Sequence, residues 1–219
     1  MADLRAVHDA LLARYGPQRW WPGDSPFEIM VGAILTQNTS WKNVEKAIAT
    51  LKTFDLLDAR RLHELDAATV GEAIKAAGTY NVKALRLKAF VAWYVERYGA
   101  QVDRLQAVAT DRLREELLQI KGVGPETADA ILLYALGRPV FVVDAYTYRV
   151  ATRHGWRSTD ATYEDLQELF ERRLPREAAL YNEMHALLVA VGKDRCRRVP
   201  QCEGCPLLPF LPGGVPQAP

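Results

Sequence analysis

The chain has 219 residues, of which 49% are hydrophobic and 25% charged, with a formal net charge of +1. This length supports one large core or two modest ones, and the balance excludes both a disordered chain and a bulk polycation. Near-neutrality leaves nucleic-acid binding open, because that footprint depends on clustered Lys and Arg rather than on their sum.

Met1 to Arg14 mixes charged and apolar residues at helical spacing and carries no secretory core. No apolar run approaches the ~20 residues needed to cross a bilayer, so a soluble, cytoplasmic protein is expected. Downstream, Val44, Ile48 and Leu51 fall on one helical face, as do Leu166, Leu169 and Phe170 ahead of Pro175. Thr162 and Asp165 form a capping-box pattern at the start of that second helix. The stretch from Glu177 to Val191 reads as a helix that stops at Gly192, a position suited to a left-handed cap. Only Val140-Phe141-Val142-Val143 reads as a strand, too short and solitary to found a sheet. The fold class expected is all-α, with many short helices.

The most informative segment runs from Leu117 to Leu132. An apolar helix ends at Ile120-Lys121, a Gly122-Val123-Gly124 turn follows, and Pro125 opens a second apolar helix. Two glycines let the backbone approach a partner and present amides beside a positive helix N-terminus, which makes a phosphate site. An ordinary helix-turn-helix connection fits the same residues. Twenty residues after Gly124, the apolar run delivers Asp144 to the start of another helix, Ala145-Tyr146-Thr147-Tyr148-Arg149-Val150. Taken singly, Asp144 is as well read as a helix N-cap. The three cysteines, Cys196, Cys202 and Cys205, lie within ten residues of one another. An odd, tightly clustered set points to a bound metal rather than to disulfides.

Taken together, the hairpin string I-K-G-V-G-P-E-T-A-D-A and the following V-D-A-Y-T-Y-R-V resemble the signature of the endonuclease III-like, helix-hairpin-helix DNA glycosylases. The resemblance runs from about Trp20 to Cys205. It implies that Asp144 is the catalytic carboxylate, and that Gly122 and Gly124 bind DNA phosphate. Gln37, in Ile34-Leu35-Thr36-Gln37-Asn38-Thr39, would fill the gap left by an extruded nucleotide. Gly78 to Ala84 matches a further family segment. The implied partner is double-stranded DNA carrying a damaged base or an abasic site, bound by a monomer without a membrane, near the nucleoid if the source is bacterial. A buried base must be flipped out before its N-glycosidic bond can break, and a carboxylate can stabilise the oxocarbenium-like sugar.

Three departures refine the expectation. Glu126 occupies the place where bifunctional members carry the imine-forming lysine, and a carboxylate cannot form an imine. Lys121 and Lys193 are possible substitutes. Trp20, Trp21 and Trp41 resemble the pocket residues of the 3-methyladenine glycosylase branch, where aromatic faces attract a cationic alkylated base. They could equally pack a core. The resemblance turns the cysteine loop into an iron–sulfur site, a 4Fe-4S cluster in preference to zinc, with Leu211 where a fourth cysteine is expected. Asp194, a histidine, solvent or an exogenous group could complete it, or the cluster could be absent. Lys193, Arg197 and Arg198, with Arg195, form a basic patch beside Cys196 suited to phosphate.

The expected architecture is two helical domains with a DNA-binding cleft, residues 25–137 forming a barrel-like domain and residues 1–24 plus 138–219 the second. The expected activity is excision of an alkylated base. A bifunctional glycosylase/AP lyase for oxidised pyrimidines and a non-catalytic DNA-binding module are the rivals.

Overall fold

A computed structural model describes residues 3–217. Among these the chain is helical, with no strand, and no helix is long and apolar enough to cross a membrane. It divides into two compact units, Met1–Trp21 with Gly137–Pro219, and Pro22–Leu136.

The first unit contains α1 (Leu4–Tyr15), α10 (Ala145–Arg153), α11 (Tyr163–Arg173) and α12 (Ala178–Asp194). Asp3 caps α1, and Thr162 and Asp165 form the expected capping box on α11. Helix α12 buries Leu180, Tyr181, Met184, Leu187, Leu188 and Val191, and packs against α10 and α1. Each large apolar side chain so buried contributes roughly 1.5–3 kcal/mol.

Two details depart from the pattern in the sequence. Helix α12 does not stop at Gly192 but runs on to Asp194, and Gly192 has no positive φ. A Cβ there would meet Tyr146 Cδ1 at 2.5 Å, so the glycine serves close packing of α10 on α12 rather than a cap. The run Val140–Val143 is buried and forms no strand; the Val140 amide turns back to the Arg138 carbonyl, and side chains of α11 take up backbone groups of Phe141 and Val143. Glu171 accepts the Phe141 amide at 2.8 Å, Gln167 donates to the Phe141 carbonyl at 2.7 Å, and the Tyr163 hydroxyl takes the Val143 amide at 3.3 Å. Phe141 also stacks on Phe170 of α11, with ring centroids 4.1 Å apart. The segment that leads to Asp144 is therefore fixed at both backbone and side chain.

The second unit contains α2 (Pro26–Leu35), α3 (Trp41–Thr53), α4 (Ala59–Glu64), α5 (Ala67–Ala73), α6 (Tyr80–Tyr98), α7 (Val102–Gln106), α8 (Thr110–Leu118) and α9 (Pro125–Ala130), the last widening into a π-helical turn over Ile131–Ala135. Helix α2 is its central rod. Met30 to Leu35 are all buried, and the helix packs against α3, α6, α9 and the π turn. Ser25 and Pro26 set its start. Val44, Ile48 and Leu51 of α3 face inward as their spacing predicts. In the Gly78–Ala84 segment, Lys83 is buried and its Nζ donates to the Ala77 carbonyl at 2.6 Å, so this lysine ties off the turn before α6.

Candidate active site and cysteine loop

The hairpin is built from the end of α8, Gln119 to Gly124, and α9. Gly122 has φ +91°, and a Cβ there would lie 2.3 Å from Arg86 Cγ, so both backbone and space require glycine. Gly124 is the N-cap of α9, with Pro125 at the first helical position and nothing within 4 Å of where a Cβ would stand. Its surroundings are open, as a backbone that receives a phosphate requires. Lys121 and Glu126 are exposed on either side of the turn.

Gln37 is held against this hairpin. Its Nε2 donates to the Gly122 carbonyl and to Thr127 Oγ1, both at 3.0 Å, and Arg86 Nη1 donates to its Oε1. Arg86 thus braces both the glycine turn and the glutamine, a role with no sequence signal, since 49 residues separate Arg86 from Gln37. Gly122→Ala is expected to destabilise the protein by about 1–3 kcal/mol, from a strained φ and displacement of Arg86. It should also weaken binding to undamaged duplex. Urea denaturation and fluorescence anisotropy check the two effects.

The hairpin is anchored behind its turn. Asp129 of α9 is fully buried and receives a bidentate pair from Arg114 of α8, Nε at 2.6 Å and Nη2 at 3.0 Å.

Asp144 lies in the other unit, as the N-cap of α10. Oδ1 accepts the Thr147 amide at 2.7 Å, the side chain is 14% exposed, and Oδ2 is 3.7 Å from His185 Nε2 on α12. Burial lowers the His185 pKa, against the opposing pull of Asp144. The N-cap role and a chemical role do not compete here, because capping occupies Oδ1 and leaves Oδ2 on the side of His185.

Of the three tryptophans, Trp20 and Trp21 belong to this same unit, half-buried and in edge contact with centroids 5.2 Å apart. Trp41 opens α3 in the second unit and is also half-buried.

Cys196, Cys202 and Cys205 line one pocket, partly open to solvent, together with Arg153, His154, Val191, Leu207 and Leu211. Arg153 Nη1 lies 3.4 Å from Cys196 Sγ, and its guanidinium also donates to the carbonyls of Arg197 and Arg198. Arg149 donates to the carbonyls of Cys196 and Gly192. These two arginines of α10 pin the loop to the core of the unit. Burial pushes the Cys205 thiol pKa up, and Cys202 and Cys196 add to the effect. Burial lowers the His154 pKa, against the Val150 and Leu207 backbones. Among the described residues, no three His, Cys, Asp or Glu side chains converge tightly enough to grip a single metal ion. Lys193, Arg197 and Arg198 are exposed around the loop, with Lys193 over the Tyr146 ring at 5.9 Å.

Residues 31–176 match the family described as HhH-GPD superfamily base excision DNA repair protein. A protein of Methanocaldococcus jannaschii assigned as a DNA repair glycosylase is 48% identical over 208 residues, covering 93% of each chain. Endonuclease III of Thermotoga maritima is 31% identical over 182 residues, 82% of this chain and 79% of that one. The crystal structure of H. pylori 3-methyladenine DNA glycosylase bound to 1,N6-ethenoadenine superposes with a TM-score of 0.74 at 29% identity, over 88% of this chain and 98% of that one.

Proposed function

We propose, for a chain that belongs to the HhH-GPD superfamily of base excision DNA repair proteins, that Asp144 drives cleavage of the N-glycosidic bond of an alkylated base. The enzyme is a DNA glycosylase acting on duplex DNA. The observation that carries the catalytic assignment is the placement of Asp144. Its backbone run is locked by α11, one carboxylate oxygen is fixed by the Thr147 amide, and the other lies beside the His185 imidazole.

In this reading the hairpin amides around Gly122 and Gly124 hold a phosphate, and Lys193, Arg197 and Arg198 add charge contacts. Gln37 enters the space left when the damaged nucleotide turns out of the stack. As the bond to the base lengthens, positive charge grows on the sugar, and the pre-oriented Asp144 carboxylate opposes it without reorganisation. Water then adds to the sugar and the base leaves, giving an abasic strand. Glu126 cannot replace the lysine of an imine mechanism, which favours hydrolysis without strand cleavage. An alkylated substrate is supported by Glu126, by the aromatic residues Trp20, Trp21 and Trp41, and by the likeness to the H. pylori enzyme. A base made cationic by alkylation has a weakened glycosidic bond and is drawn to aromatic faces.

The test is a panel of duplexes with single lesions, developed with and without alkali. An alkylated purine should be released fastest, and the product strand should break only after alkali. Preferential release of oxidised pyrimidines would overturn the substrate assignment. Trp41→Ala should slow excision of alkylated purines by about 2- to 30-fold, the equivalent of one cation–π contact of roughly 0.5–2 kcal/mol. Affinity for undamaged duplex should be unchanged.

The cysteine loop fits an iron–sulfur cluster. Three thiols and a buried imidazole line one pocket, with Arg153 directed at one sulfur. Three clustered thiols in this family are the ligand type an iron–sulfur cluster takes, each thiolate on its own iron. Bound there, the cluster would supply structural bracing, cross-linking the loop that carries the basic patch.

A further inference from the structure

The three cysteines leave a four-iron cluster one protein ligand short, and Leu211, on the same pocket, has no donor atom. Asp194 does not line the pocket, and its carboxylate accepts hydrogen bonds from the Tyr15 hydroxyl at 3.0 Å and from Arg195 Nε at 3.2 Å. His154 is placed differently. It follows α10 directly, lines the pocket with the three thiols, and is 5% exposed. Its Nδ1 lies 2.8 Å from the Val150 carbonyl one helical turn back, an acceptor that fixes the proton on Nδ1. With the proton on Nδ1 the lone pair is on Nε2, which is buried beside the Leu207 backbone and makes no hydrogen bond of good geometry to it. Leaving such an atom buried and unsatisfied is costly unless something else takes the lone pair. A ring nitrogen that donates to a backbone carbonyl, with its opposite nitrogen bare, is the arrangement of a metal-bound imidazole.

We propose that His154 Nε2 is the fourth protein ligand of the cluster held by Cys196, Cys202 and Cys205. The assignment rests on the cluster reading above. It makes the loop a Cys3His site in which the ligand missing from the cysteine spacing comes from the end of α10, 42 or more residues earlier in the chain than the thiols. The position is invisible in the loop's own sequence, because the donor reaches it through the packing of α10 against α12.

The test uses the full chain, reconstituted anaerobically with ferrous iron and sulfide and then reduced. Pulsed EPR should detect a directly bound nitrogen coupled to the cluster. His154→Cys should keep the iron and sulfide but lose that coupling, which guards against loss through misfolding. His154→Ala should release iron to a chelator at least about tenfold faster than the native chain. Iron and sulfide bound without nitrogen coupling in the native chain, or unaltered release from His154→Ala, overturns the histidine ligand and leaves the cluster standing. Zinc alone, or no metal after anaerobic reconstitution, overturns the cluster and its fourth ligand together.

Discussion

Asp144→Asn should lower the rate of base excision by about 10²–10³-fold or more, the scale of removing one pre-oriented group that stabilises transition-state charge. The substitution is informative because asparagine caps helices as well as aspartate does. The side-chain oxygen of the introduced asparagine can still accept the Thr147 amide that Asp144 holds at 2.7 Å, so α10 keeps its start. The buried run Val140–Val143 keeps its anchors on Glu171, Gln167 and Tyr163. What disappears is the negative charge on the oxygen near His185. Single-turnover excision should therefore collapse while duplex affinity and the melting temperature stay close to native. A variant with near-native excision would contradict the catalytic assignment.

Arg114→Leu should destabilise the protein by about 3–5 kcal/mol, the largest stability effect expected of a single substitution here. Asp129 is fully buried, and the change removes a bidentate partner from a carboxylate that has no bulk water to replace it. Against a typical total of about 5–15 kcal/mol, that is a large fraction. The double variant Arg114→Leu/Asp129→Leu should recover much of the loss, since replacing both charges with apolar groups removes the uncompensated desolvation. Because the pair ties α8 to α9, the single variant should also bind duplex more weakly. Urea denaturation showing less than about 1 kcal/mol of change would mean the pair is not a structural anchor.

Local chemistry was legible in the sequence where it is written in adjacent residues. The glycines and proline of the hairpin, the Thr162/Asp165 capping box and the inward face of α3 all follow from spacing and conformational preference. Gly192 shows the limit of that reasoning. A glycine near a helix end can cap it or admit a neighbour, and only the position of Tyr146 decides between them. The strand-like run could not reveal that α11 would supply its hydrogen bonds, because Glu171, Gln167 and Tyr163 lie 20 to 30 residues away. Asp144 was legible as a carboxylate at a helix start, but its neighbour His185 was not. The same holds for Arg86 beside Gly122 and Gln37, and for His154 on the cysteine pocket. Each is set by tertiary packing, and nothing in the local pattern distinguishes that arginine or histidine from others on the surface.

Borohydride trapping on a duplex carrying one alkylated purine tests most directly whether this is a glycosylase that works without an imine. No covalent enzyme–DNA adduct is expected, and the abasic strand should stay intact until alkali is added. A strong trapped adduct, lost when Lys121 or Lys193 is replaced by glutamine, would show that another lysine performs the attack and that the enzyme cleaves the strand itself.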